Sequence, residues 1–490
     1  MSFLSREGIN EEIEKRNRNL GDLRKNRRRQ ILKKKTETTT TLAVDFFEDP
    51  DLVEIRRISE VMKTQSEGEE VMSCIKILHG LYDKYSATNE LSHRYFDSLS
   101  QCGLIMTFMN YLISSKNEVI VQEILEEFIE MAAIDSEYVL TLLQFHVIDN
   151  TLHLLQYEQF VNDVMWMYSN ISSENVYSRD EVFKRVSSMS YIIANNTFNN
   201  EENNDVLKSR KEIISRLFAS FCSFQPKISI SEFEPFLQMM ISMLSYKEEE
   251  VVSNVLFGIS QLIESKEYAQ MIYNDIIKTL CLLMKSTSEQ VIGGVMNVIY
   301  NLAHQYRNEG MNEIIFQTGI VQSIISYSQV CSESVVNDVM IVLGEIVDSK
   351  MSTIADYMYS SGVIQEMMNG LKGLVRVDMR YGHFYFILNT IYHVNSNILA
   401  QVSSNDDIYD LMRSVVVTKF KENDVYVICA KLLKKIIDRS RLNYYDDVVF
   451  DKLEKSELMN IIDNTLEDYR GEAHDIFEEI IQDNFDEDEI

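Results

Sequence analysis

An all-α solenoid is what this sequence predicts, on three grounds: few turn residues, apolar stripes at helical spacing, and a repeat of about 43 residues. In 490 residues there are 16 Gly and 3 Pro, where average usage gives roughly 34 and 25. Sandwiches, barrels and parallel α/β folds need turn glycines and β-branched alternation at short intervals, and the chain shows neither. Its composition, 45% hydrophobic and 25% charged, can bury a large core.

Taken from the N-terminus, MSFLSREGIN has no apolar segment of a secretory signal, and no later run approaches the length of a membrane span. Residues 11–35 hold eleven Lys/Arg against four acids, net +7, which leaves −36 on residues 36–490 of a chain totalling −29. The Thr-rich run Thr36–Thr41 reads as a flexible tether, so residues 1–45 form an arm attached to an acidic body. Within the body, residues 46–470, Val121, Ile124, Leu125, Phe128 and Ile129 fall on one helix face. The same spacing returns in Val291, Ile292, Val295, Met296, Ile299 and Leu302, and in Val335, Val336, Val339, Met340, Leu343, Ile346 and Val347. Gly followed by two aliphatics recurs at Gly103, Gly319 and Gly362, the last two 43 residues apart, and His146 stands in the glycine's place one period after Gly103. A glycine there suits a helix end that turns through positive φ. The period lies in the HEAT/armadillo range, and residues 50–470 have room for about ten such units. The expected architecture is therefore one elongated solenoid of such repeats, which the resemblance given below narrows to an armadillo-repeat, right-handed superhelical solenoid. Residues 471–490, with nine acids and no Lys/Arg, read as a solvated acidic tail.

The six cysteines, at 74, 102, 222, 281, 331 and 429, are too dispersed for a CxxC pair and imply reduced, intracellular thiols. No nucleotide-binding glycine loop, HExxH or EF-hand occurs, and the eight histidines show no metal-ligand spacing. Neither an enzyme, a cofactor nor a metal is expected. The acidic body argues against nucleic-acid binding, although the basic run read alone also suits RNA or an anionic membrane.

The arm segment DLRKNRRRQILKKK, Asp22–Lys35, resembles the importin-β-binding segment of the importin-α family in order as well as in charge. The resemblance gives Arg24, Lys25, Arg27, Arg28, Arg29, Lys33, Lys34 and Lys35 to importin-β. Upstream, Glu12–Arg18 is similar to a further basic cluster of that family, and Ser456–Ile490 resembles its closing helices and acidic tail. In the family, the third helix of each repeat lines a concave groove and carries Trp-x-x-x-Asn. One turn sets both residues on one face. The amide holds the backbone of an extended peptide, and the ring clamps Lys or Arg stems at roughly 0.5–2 kcal/mol each.

Trp166, the single Trp, is followed by Asn170 and Glu174, similar to the family's Trp, Asn and acid at the major cargo site. Tyr385 and Asn389 keep the spacing at the level of the minor site, with Asn301 continuing the Asn column; half-buried packing is the equal alternative for Tyr385. Other repeats depart from the pair, aligning as Glu127/Met131, Arg216/Ser220, Phe257/Gln261, Asn297/Asn301, Ile341/Glu345 and Lys431/Lys435, and Gly382 stands where the minor site has an acid.

The resemblance implies a nuclear import adaptor, shuttling between cytoplasm and nucleus. Its groove holds basic localisation peptides, its arm binds importin-β or folds back so that Lys33–Lys35 mimic cargo, and its C-terminal repeats engage an export receptor with Ran-GTP. A monomer is expected, without nucleic-acid or membrane partners. The alternative is an armadillo scaffold for protein assembly without transport, which the eroded Trp/Asn ladder favours.

Overall fold

The computed structural model describes residues 50–64, 68–85, 89–200, 204–348, 352–371, 377–420, 422–442 and 446–485. The arm and tether lie outside them, with Arg24, Lys25, Arg27, Arg28, Arg29, Lys33, Lys34 and Lys35. Every regular element among the described residues is helical. None of these helices is long and apolar enough to cross a membrane.

The helices form two compact units, one ending at Ser265 and the other beginning at Lys266. The same repeat builds both. In the first unit the long helices Glu118–Met131, Val161–Ser172, Asp205–Cys222 and Glu249–Leu262 start 43, 44 and 44 residues apart. In the second, Glu289–Tyr306, Glu333–Val347, Val377–His393, Asp424–Leu442 and Glu472–Phe485 start 44, 44, 47 and 48 apart. Two short helices precede each of the last four, as Thr353–Ser360 and Val363–Leu371 do before Val377, making three helices per repeat. The chain is thus an all-α solenoid of armadillo-like repeats.

Local chemistry explains where these helices begin and end. Asn117, Asp135, Asn175, Asn204 and Ser288 each accept a backbone N–H of the first turn, satisfying a donor that has no partner inside the helix. The expected left-handed turns occur at Gly103 (φ 72°), Gly319 (80°) and Gly362 (82°), and His146 adopts the same conformation (54°) despite its Cβ. Apolar stripes meet in the core between consecutive helices. Val121, Ile124, Leu125 and Phe128 are buried, as are Val339, Met340, Leu343, Ile346 and Val347, while Ile129, Val335 and Val336 are half-buried.

One expectation is corrected at the C-terminus. Glu472–Phe485 is a helix, not a solvated tail, because Ala473, Phe477 and Ile480 form a stripe that is buried. Its acids face outward, and Glu472 lies 2.7 Å from Lys431 while Glu479 pairs with Lys434. Counting charge hid the three apolar residues that decide the fold. All six cysteines are free thiols, and Cys74, Cys222 and Cys429 are buried.

Candidate functional site

The long helices carry the residues that the sequence singles out, and each is tied to its neighbour by polar contacts one repeat apart. In the first unit Gln122 Nε2 donates to Asp163 (2.7 Å), Asn170 Nδ2 donates to the Ile129 carbonyl (3.1 Å), Ser172 meets Ser220, and Asn254 Nδ2 donates to Ser215 (3.0 Å). Such bonds fix register, because a slip of one residue breaks all of them.

Trp166 and Asn170 sit one turn apart on Val161–Ser172 as expected. Trp166 is half-buried, whereas Asn170 is 1% exposed and its Oδ1 has no hydrogen-bond partner. A buried acceptor left unmatched costs roughly 1–3 kcal/mol, so Asn170 is held there against its own solvation. Glu174 follows the helix end in the turn before Val176 and is half-buried. Over the Trp166 ring lies Arg216 of the next long helix, its guanidinium carbon 4.6 Å from the ring centroid. Arg216 is 8% exposed, and its Nη2 stands 3.8 Å from Glu250.

The preceding helix presents carboxylates. Glu127, aligned with Trp166 in the repeat, is 4% exposed and accepts from the Tyr95 hydroxyl at 3.3 Å. Burial pushes its carboxyl up to about 8; the Tyr95 bond opposes this, and Glu130, Glu126 and Glu123 add to it. His79 lies between Glu123 (2.9 Å) and Glu127 (3.4 Å), and donor atoms of His79, Glu123 and Glu126 fall within 4.8 Å of one another. Linear spacing did not suggest this grouping. With both ring nitrogens turned to neighbouring carboxyl groups, it reads first as a histidine held by its own neighbours.

In the second unit the same one-turn pair has different surroundings. The Tyr385 hydroxyl donates to Glu345 at 2.5 Å, and its ring stacks parallel to Tyr381 with centroids 6.2 Å apart. A Cβ added to Gly344 would fall 2.6 Å from the Tyr385 ring. The ring therefore lies directly against a neighbouring backbone. Burial, and then the Glu345 carboxylate, push the Tyr385 hydroxyl well above its ordinary value. Glu345 also meets His304 Nδ1 at 2.9 Å. Asn389 is 3% exposed with an unmatched Nδ2, and Asn301 is half-buried.

Gly382 has a structural reason that the sequence did not reveal. Its N–H donates to Asn337 Oδ1 at 2.7 Å, and a Cβ there would sit 2.2 Å from the Asn337 carbonyl oxygen. Glycine permits the helices Glu333–Val347 and Val377–His393 to approach. Nearby, burial pushes the Asp348 carboxyl up, but His393 (3.3 Å) and Arg307 outweigh it and hold the group below its usual range.

No protein-family model matches this sequence, and no curated protein matches it. Among solved structures, an engineered protein from a structural genomics consortium is similar with a TM-score of 0.66 at 11% identity, over 88% of this chain and 98% of its own. A designed armadillo repeat protein in complex with the peptide (KR)4 is similar over 49% of this chain and 98% of its own, at 16% identity and a TM-score of 0.42. Computationally designed armadillo repeat proteins for modular peptide recognition give 48%, 98%, 15% and 0.41 for the same measures. The engineered protein's likeness extends to the fold alone, and it agrees with the repeat seen in the helices themselves: the chain carries the fold of an armadillo-like solenoid.

Proposed function

We propose that this chain is a carrier and not an enzyme: an import adaptor that holds an extended basic peptide along its long helices and is linked to importin-β through its N-terminal arm. The observation that carries this reading is the Trp166 site. A half-exposed indole already holds a guanidinium at stacking distance, one turn from a buried amide with an unmatched acceptor. A ring that holds arginine is chemically suited to a ligand's Lys or Arg, and an unmatched acceptor suits a peptide N–H. Glu123, Glu126 and Asp163 on the same and preceding helices favour cationic ligands. The links to importin-β, to an export receptor with Ran-GTP and to nuclear shuttling rest on the sequence resemblance of Asp22–Lys35 and of the C-terminal region.

Full-length protein with Lys33, Lys34 and Lys35 replaced by Ala, titrated with a lysine-rich localisation peptide, tests the reading. Micromolar or tighter binding that falls at least tenfold in both Trp166→Ala and Asn170→Ala is expected. Absence of binding would favour the second reading, a scaffold without transport. That reading draws on the second unit, where Tyr385 is held against Gly344 and Glu345.

A further inference from the structure

We infer that Arg216 is an internal occupant of the Trp166 ring, a specificity-determining residue that an incoming cationic side chain must displace. The inference rests on the proposed peptide-binding reading and adds a residue to it. Trp166 is the single Trp of the chain, so no second indole offers the same platform. Arg216 belongs to the next long helix, occupies the aligned position of the next repeat, and places its guanidinium carbon 4.6 Å from the ring centroid.

Two consequences follow from exchanging one cation for another. The stack that a ligand gains is matched by the stack that Arg216 loses, so the aromatic contribution cancels to first order. Net affinity then depends on where Arg216 goes. Glu250, 3.8 Å from Nη2, is one acceptor in place, and a rotation of the side chain toward it converts a loose ion pair into a hydrogen-bonded one. The Trp166 site is therefore weaker for basic peptides than its Trp, Asn and acid suggest, and it favours ligands whose other contacts repay the displacement.

The test uses the full-length protein carrying Ala at positions 33–35, a labelled peptide with five consecutive lysines, and two readouts: dissociation constant by anisotropy and Trp166 emission. Arg216→Met keeps the side-chain bulk without charge, and Arg216→Lys keeps the charge without the planar face; thermal melts check that each folds. Arg216→Met is expected to tighten peptide binding at least fivefold and shift the emission of the free protein, with a smaller gain for Arg216→Lys. Removing a positive charge alone also helps a cationic peptide, so Arg216→Met is repeated on Trp166→Ala, where the gain should vanish. A change within twofold in both variants, a gain that persists without the indole, or weaker binding by the Arg216 variants than by their parent would each overturn the inference while leaving the peptide-binding reading intact. If no variant binds, the peptide-binding reading falls and displacement falls with it; the emission of Arg216→Met then reports only whether the stack exists as internal packing.

Discussion

The first and second units use one device, an aromatic residue one helical turn before a buried asparagine, to two different ends. At Trp166 the ring's partner is a side chain, the Arg216 guanidinium, carried on a flexible stem and also 3.8 Å from Glu250. At Tyr385 the partners are the Gly344 backbone and the buried Glu345 carboxylate, which cannot leave without opening the core. Identical spacing therefore says which face an aromatic occupies, and its neighbour one repeat away says whether it is available to a ligand.

The strongest way to break this comparison is at the closest helix approach. Gly382→Ala should destabilise the second unit by about 3 kcal/mol or more, because its Cβ would meet backbone and not a flexible side chain. Urea unfolding should show the loss, and a change below about 1 kcal/mol would mean that the helices can separate freely.

Next comes pH. The folded Glu127 carboxyl holds its proton to about pH 8, whereas an unfolded one releases it near 4.5. Between those values the folded chain binds the extra proton, so this group's contribution to stability falls as pH rises through the window. Glu127→Gln should remove that slope and raise stability at pH 8 by roughly 1–3 kcal/mol relative to pH 5. Melts at the two pH values decide it; parallel curves for wild type and variant would sink the assignment.

Exchanging the two rings for phenylalanine sharpens the contrast itself. Tyr385→Phe should cost about 1–2 kcal/mol by leaving Glu345 short of a donor, with little effect on peptide affinity. Trp166→Phe should do the reverse, weakening peptide binding several-fold with stability changed by less than about 1 kcal/mol. Equal behaviour of the two variants would erase the distinction. The smallest effect lies at His146, whose side chain is solvated while its backbone is left-handed. His146→Gly should stabilise by about 0.5–1 kcal/mol, measured by thermal melt, if relief of that strain exceeds the added entropy of glycine in the unfolded chain.

The repeat was legible because it is written in short-range chemistry. Helix stripes around Val121, Val291 and Val339 depend on neighbours three and four residues away, and the turns at Gly103, Gly319, Gly362 and His146 depend on one residue's φ. The pairing of Trp166 with Asn170 belongs to the same class, since one turn of helix sets it. The helix Glu472–Phe485 does not show in composition although its stripe of Ala473, Phe477 and Ile480 is equally local, because the nine acids of residues 471–490 dominate a residue count that ignores spacing.

By itself, then, the sequence determined the helices, their period and the face on which each candidate residue stands, all consequences of backbone geometry over one or two turns. Tertiary structure alone decided that Arg216 covers Trp166, that Gly344 and Glu345 hold Tyr385, that Gly382 is a close-approach glycine, and that the chain gathers into units on either side of Ser265. Those contacts join residues 40 to 50 positions apart, where aliphatic stripes pack equally well in more than one register and only the simultaneous fit of whole helices selects the neighbour that each side chain meets.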